Sequence, residues 1–497
     1  MYSLVKSSMI NTLSGTISLA AGFGSTVVIA RLLGAEGTGL TAFCLWLVFS
    51  GYALADRGVP AIVLRYLSRT VSSSAASPNL VRQLYGRFIW PVLLIGVAFS
   101  AYGVSPHAAA AGNPGSIWYI TAIIFLVYCH AQLATSASFA NGDYLSPAKK
   151  AALGCLLQLP AVAVGAYWFG APGAMAGYLL RHLPQALSVH SYLQPGASQE
   201  NCVTPKMLEY GNHSWLSAAL VILVWSRTEF LFIGWFFSLT EVGYFAAGVT
   251  FTSLVYQMAL SMTAGMTPKF GHLLDTGETA KLEKSYQRVL RWMAFFLLPV
   301  SLGGAVIMQE IIPLVLGLEF APAVPSATVL MAFVFGGCFS MVPTMIMQAT
   351  EHSKVILWMN AISAAVLIVL NLVFTPLYGV LAAAWIKGIV SLADLVFALW
   401  YCQARLGYSC GLGSLMKLFF SALACAAMAW AILLQLDGLP GLVLSIPAAA
   451  VIYMVAIRLT GAMPSDDLDV LRGSIGNALP APLSTIVVRL VSLVEKP

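Results

Sequence analysis

Apolar runs of about twenty residues, the length a helix needs to cross a hydrocarbon core about 30 Å thick, recur from one end of this chain to the other. Fourteen such runs are expected as transmembrane helices, at 10–30, 38–56, 88–106, 117–138, 151–169, 173–193, 214–236, 243–266, 292–312, 326–347, 355–374, 379–401, 414–434 and 440–460. Connections after odd-numbered runs are short. Connections after even-numbered runs carry the positive charge, above all 57–87 and 269–291.

Composition agrees with the pattern. Of the 497 residues 59% are hydrophobic and 9% charged, with a mean hydropathy of +0.85, whereas soluble domains carry about 25% charged residues. A soluble globular protein is excluded. Lys and Arg collect on the cytoplasmic side of membrane proteins. With the N-terminus inside, twenty of the 25 Lys and Arg fall on that side, Arg458 at the inner end of the last run among them, one outside (Arg31) and four deeper within spans (Arg181, Arg227, Lys387, Lys417). Both termini are therefore expected in the cytoplasm. The net charge of +6 reflects orientation and head-group contact and predicts no nucleic-acid partner. The eight cysteines are scattered singly, with no pair at metal-ligand spacing, so neither a disulfide nor a metal or other cofactor is expected. The first run lacks a short apolar core followed by a cleavage site and is expected to remain as a span.

The chain also repeats itself. The stretch "GAEGTGLTAF" after the first run resembles "SLTEVGYFAA" after the seventh, matching Gly39 to Gly243 at an offset of 204. "FGAPGAMAGYLL" resembles "LYGVLAAAWIKG", matching Gly173 to Gly379 at 206, while Pro60 matches Pro268 at 208 and Lys149 matches Lys354 at 205. Two six-span halves inserted the same way up are expected, a parallel repeat of the kind many transporters use. The expected organisation is a first lobe at 1–193, a linker at 194–213, a second lobe at 214–402, two additional spans within 403–461 and a cytoplasmic tail at 462–497.

Charges inside the spans are the candidate chemistry. Arg181 lies eight residues past Gly173 and Lys387 eight past Gly379, about 12 Å into their helices. The match gives the two cations equivalent places. Arg227, Glu229 and Asp394 are the other charges near mid-membrane, and His182 follows Arg181. Two readings stay open. In one, interhelical ion pairs such as Arg181 with Glu229 and Arg227 with Asp394 hold the bundle together. In the other, Arg181, Lys387 and Arg227 line a hydrated cavity and meet an anionic substrate, with Glu229, Asp394 and His182 as candidates for ion coupling or charge pairing.

At "NTLSGTISLAAGFGSTVVIARLLGAEGTGLTAF", followed by "DRGVPAIVLRYLSR", and again at "TEFLFIGWFFSLTEVGYFAAG", the chain resembles the polysaccharide transporter family of O-antigen and exopolysaccharide flippases. The resemblance implies an all-α, two-lobed, V-shaped bundle of the multidrug/oligosaccharidyl-lipid/polysaccharide exporter superfamily, in the bacterial inner membrane. It implies movement of an undecaprenyl-diphosphate-linked oligosaccharide from inner to outer leaflet. Membrane lipids and other polysaccharide assembly proteins are the implied partners. Arg227 and Glu229 stand where family members often carry an aspartate.

Two rival readings make different demands. A cation-coupled small-molecule exporter of the same architecture calls for acidic, aromatic cavity walls, against which the excess of buried cations argues. An integral-membrane glycosyltransferase needs catalytic groups in sizeable outer loops. No nucleophile, metal cluster or phosphate-cradling glycine loop is evident, so no enzymatic activity is expected.

Overall fold

The computed structural model of the chain describes residues 2–71, 79–105, 115–194, 202–225, 228–263, 266–464 and 467. These residues are helical or connecting, with no strand among them. In hydrocarbon a backbone must satisfy its own polar groups, and a chain of long apolar segments does so as helices. The helices are α1 (Tyr2–Ala55), α2 (Val59–Val71), α3 (Asn79–Gly103), α4 (Gly115–Ala140), α5 (Leu145–Ala186), α6 (Pro205–Trp225), α7 (Glu229–Phe236), α8 (Leu239–Thr263), α9 (Met266–Asp275), α10 (Thr279–Leu316), α11 (Val324–Ala349), α12 (Ser353–Tyr378), α13 (Val380–Ala404), α14 (Leu412–Leu433) and α15 (Gly438–Thr460). The all-α polytopic class expected from the sequence is thus observed.

Among the described residues eleven helices are long and apolar enough to cross a membrane, against fourteen expected runs. Most of the difference has a physical cause. Two pairs of runs are merged, because α1 and α5 each continue through a sharp kink, at Gly34 (φ 70°) and Gly170 (φ 64°). A left-handed residue turns the chain without ending the helical hydrogen bonding on either side, and glycine does so at least cost. The expected run at 214–236 contains residues outside the described ones. Within it the structure describes α6 up to Trp225, then Thr228 in a turn and α7 from Glu229.

The second match of the repeat needs a correction of register. The left-handed turn residue corresponding to Gly379 (φ 71°) is Gly170, not Gly173. Gly173 is helical, and a Cβ there would lie 2.0 Å from the Gly165 carbonyl oxygen. It serves the close packing of the two arms of α5. Counted from the turn, Arg181 lies eleven residues in and Lys387 eight, a difference of about 4.5 Å along a helix. Within the repeat the two cations share a helix face but not a depth.

Short helices α2 and α9, read as basic loops from sequence, begin with a proline in their first turn, Pro60 and Pro268, where the missing N–H leaves no intrahelical bond unmade. These are the residues matched at offset 208.

The chain forms two compact units, residues 1–246 with 360–379, and 247–359 with 380–497. In the first, α1 and α4 pack along α5, α3 packs on α4, and Phe88, Phe125 and Ile124 fill the core. Its outside is apolar, with Leu94 and Phe169 72% and 74% exposed, which suits a lipid-facing sheath. A reciprocal contact joins α1 to α8. A Cβ on Gly39 would lie 1.7 Å from the Leu239 carbonyl oxygen, and a Cβ on Gly243 2.0 Å from that of Ala35. Ala35 and Gly39 are related to Leu239 and Gly243 by the same offset of 204. The matched segments therefore meet in a self-complementary contact, backbone against backbone, as a glycine on each helix permits.

In the second unit α10 carries the rest. The Ser301 hydroxyl donates to the Met331 carbonyl of α11 at 2.6 Å. The Tyr453 hydroxyl of α15 donates to the Phe295 carbonyl at 2.8 Å, and Glu310 accepts the Gly438 N–H at 3.1 Å. Arg288 and Arg291 each donate through Nε, at 2.7 Å, to one oxygen of Asp467, which is 1% exposed. This clamp fixes the start of the acidic tail.

Gly39→Val is expected to destabilise the protein by about 1–3 kcal/mol or more, since overpacking here meets backbone that cannot rotate away. Gly413→Ala, at a position with open space around it, is expected to stay within about 0.5 kcal/mol of wild type. Thermal melts of the detergent-purified variants measure both.

Candidate functional site

The site grows from the way α5 folds back on itself. Its arms run antiparallel from the Gly170 turn, and at their far end the Arg181 backbone rides over Gly154, where a Cβ would lie 2.0 Å from the Arg181 carbonyl oxygen. That close approach brings the Arg181 side chain alongside Gln158 of the opposite arm. Arg181 Nη1 donates to Gln158 Oε1 at 3.0 Å, and Gln158 Nε2 donates to Ser25 Oγ of α1 at 2.9 Å. Both Gln158 and Ser25 are fully buried, whereas Arg181 is half-buried.

Helix α1 offers small residues at this height. Ser18, Gly22 and Ser25 share a face at helical spacing. Ser18 Oγ lies 3.5 Å from Cys155 Sγ, and the Cβ position of Gly22 lies 3.8 Å from Arg181 Nη1. The guanidinium is thus oriented by a neutral amide and hydroxyl. Among the described residues the ion pairs are Lys281 with Glu278 and the two arginines with Asp467, and none involves Arg181. The pairing of Arg181 with Glu229, open in the sequence, is not formed. A charge-assisted hydrogen bond to an amide holds a guanidinium in place while leaving its charge uncompensated.

His182 is half-buried one residue on, with its ring edge-on to Tyr128 at 5.0 Å. Tyr128 in turn meets Tyr52 and Phe49 of α1 at 5.3 and 5.1 Å. Glu229 is 1% exposed at the first position of α7, in the same unit. Arg227 lies outside the described residues.

Lys387 and Asp394 belong to the second unit, on α13. Asp394 is 4% exposed and Lys387 half-buried. Seven residues apart, they stand on one face about 10.5 Å from each other along the axis. Their helix is pressed on α11, with Trp385 against Phe333 at 5.4 Å and a Cβ on Gly388 only 2.7 Å from the Phe333 ring. The structure thus groups Arg181, His182 and Glu229 in one unit and Lys387 and Asp394 in the other.

Sequence reasoning missed Gln158, Ser25, Ser18 and Gly22 because it followed charges. A usable signal was present: Gln158 is a strong hydrogen-bonding group in an apolar run, and the Ser18, Gly22, Ser25 spacing marks a small polar stripe. A second missed pair is Tyr85 with His130, whose hydroxyl and Nε2 lie 2.8 Å apart between α3 and α4.

Comparison with known proteins accords with this geometry. Residues 151–325 match the family described as polysaccharide biosynthesis protein. No curated protein sequence matches the chain. Among solved structures, the lipid II flippase MurJ in an inward closed conformation superposes with a TM-score of 0.67 at 12% identity, over 92% of this chain and 98% of that one. An inward-facing multidrug resistance MATE family transporter of the MOP superfamily gives 0.63 at 14%, over 80% and 98%. A point mutant of the Vibrio cholerae MATE transporter VcmN gives 0.58 at 15%, over 84% and 98%. These likenesses show the fold: the chain is a polytopic membrane protein with the fold of the MurJ and MATE structures, and its residues 151–325 match the family described as polysaccharide biosynthesis protein.

Proposed function

We propose that the protein is a flippase that carries an undecaprenyl-diphosphate-linked oligosaccharide from the inner to the outer leaflet of the bacterial inner membrane by alternating access. Arg181 meets the diphosphate. The observation that supports this reading is the neutral setting of Arg181, whose guanidinium is held by Gln158 rather than by a carboxylate. A charge at the centre of a bilayer costs about 2.5–3.5 kcal/mol on insertion scales. With no acid to offset that cost, water or an anionic ligand does so, and a guanidinium matches phosphate oxygens with two parallel donors.

In this reading Lys387 and Arg227, the other cations that the sequence sets near mid-membrane, join Arg181 as phosphate contacts. Glu229, Asp394 and His182 are the candidates for coupling to a proton or sodium ion. Positive charge on the connections places both termini in the cytoplasm. An inside-negative potential then favours outward movement of an anionic head group by about 2.3 kcal/mol per charge per 100 mV. The partners in this reading are the lipid-linked substrate, membrane lipids and other polysaccharide assembly proteins. The family match at residues 151–325 and the lipid-linked substrate in MurJ's name both favour it.

A multidrug exporter is the second reading, because the fold is shared with MATE transporters. The cation at Arg181 suits an anionic passenger and repels the organic cations such an exporter handles. A glycosyltransferase reading has no support from these fold likenesses.

Translocation of lipid-linked oligosaccharide, followed by complementation with membrane levels checked, tests the proposal. Arg181→Ala is expected to insert normally and to lose at least tenfold in translocation, with Arg181→Lys retaining part of it. Full activity of Arg181→Ala refutes the assignment.

Gln158 separates charge from structure. Gln158→Leu removes the acceptor of a buried hydrogen bond and is expected to cost about 1–3 kcal/mol in a thermal melt. Gln158→Glu keeps the shape, neutralises Arg181, and is expected to fold as wild type while losing transport. An active Gln158→Glu shows that the free positive charge is not needed.

A further inference from the structure

A second arginine cluster lies at the basic end of the first unit, where α1 gives way to α2. The chain turns there through Asp56, Arg57 and Gly58. Arg57 has φ +47°, one of two non-glycine residues in the left-handed region among those described. Such a conformation costs on the order of 1–3 kcal/mol and persists only where its surroundings impose it. Its guanidinium is carried over the Trp215 ring of α6, 5.8 Å from the centroid, and Trp215 is anchored by its Nε1–H to the Ala53 carbonyl at 2.9 Å.

Arg87 of α3 comes to the same place. Its Nη2 donates to Asn212 Oδ1 of α6 and reaches the Arg57 carbonyl oxygen at 3.5 Å. Its Nε is buried and has no hydrogen-bond partner. Neither Arg57 nor Arg87 takes part in an ion pair among the described residues. The nearest acid along the chain, Asp56, is engaged elsewhere, since its Oδ1 accepts the Gly58 N–H at 2.8 Å. Burial pushes its carboxyl up to about 6, against the opposing effect of that N–H. Further along α2, Arg65 lies over the Tyr210 ring at 4.3 Å.

Two arginines thus meet at this turn, Arg87 against the main chain of Arg57, with no ion pair to either among the described residues and one buried donor idle, an arrangement that an anion would complete. Aromatic rings at the flanks are what membrane–water boundaries favour, because the ring sits among acyl chains and its polar edge among head groups. We propose that Arg57 and Arg87, flanked by Trp215 and Tyr210, form a binding site for the phosphate of a single lipid head group. The site is separate from Arg181 and lies at the basic end of the same unit.

The shared chemistry is a lipid-borne phosphate, with two sources. One is an anionic phospholipid of the surrounding leaflet. The other is a polyprenyl diphosphate, in which case the site receives the transported lipid before Arg181 does. That second source rests on the flippase reading, whereas the first does not. A diphosphate offers more oxygens and more charge to two planar donors and is expected to be held more tightly.

Native mass spectrometry of the full-length protein in detergent tests this, with phosphatidylglycerol and undecaprenyl diphosphate titrated separately and phosphatidylcholine as the neutral control. Wild type is expected to retain one molecule of an anionic lipid, with the ratio between the two naming the source. Arg57→Gln with Arg87→Gln keeps an amide near Asn212 and is expected to lose at least tenfold in that retention. Arg57→Lys with Arg87→Lys, which keeps both charges, is expected to retain most of it and covers the case in which the glutamine variant fails to fold. Retention in the folded glutamine variant equal to wild type overturns the proposal, as does loss of retention in a folded lysine variant equal to that in the glutamine one. Arg181→Gln distinguishes this site from the transport proposal. It is expected to retain phosphatidylglycerol as wild type does, so unimpaired transport in Arg181→Gln counts against the flippase assignment alone.

Discussion

A guanidinium placed deep in an apolar bundle has to be satisfied by something, and the arrangement around Arg181 depends on that requirement. The protein meets the directional part of it, through Gln158 and the Ser25 hydroxyl behind it, and leaves the charge itself uncompensated. A carboxylate in place of Gln158 would make a closed structural pair. The amide instead leaves the guanidinium a positively charged donor, aligned by its bond to Gln158 and by the buried bond behind it from Gln158 to Ser25. Preorganisation of this kind reduces the ordering cost when an anion arrives.

The scaffold that holds this donor is built from backbone-to-backbone contacts. Gly154 lets the Arg181 main chain approach, the Gly170 turn sets the antiparallel arms of α5, and the Gly39 and Gly243 contact joins α1 to α8. In lipid there is little hydrophobic gain from bringing helices together, so close fit of small residues supplies much of the attraction. The Gly39 and Gly243 contact has a further property. Residues matched across the repeat face each other reciprocally, as in an isologous contact between identical subunits, which is what two similar segments with a glycine at the matched place can make of one another.

Much of the fold was legible because lipid imposes a length and a polarity on every span, so apolar runs alone announce an all-α polytopic chain. Register was harder. "GAPGAMAG" offers both Gly170 and Gly173 for one turn, and the decisive signal was Pro172, which belongs in the first turn of the second arm and so puts the turn before it, at Gly170. Amphipathic α2 and α9 were read as loops because their charges outweighed their apolar stripe, although Pro60 and Pro268 marked their starts. Arg181 stood out as a charge, but its partner did not, because nothing in one sequence couples position 158 to position 25. The clamp of Arg288 and Arg291 on Asp467 was beyond reach for the same reason. Its members lie far apart in a chain where many acids and bases are available.

The central claim is that Arg181 presents its charge to water and to a passenger rather than to a buried partner. Its most direct test is the reactivity of Arg181→Cys, in a chain whose eight native cysteines are replaced, toward a charged, membrane-impermeant thiol reagent. The account predicts modification in membranes and protection by lipid-linked diphosphate. A cysteine at this position that stays unreactive in folded protein, with and without that lipid, would contradict it.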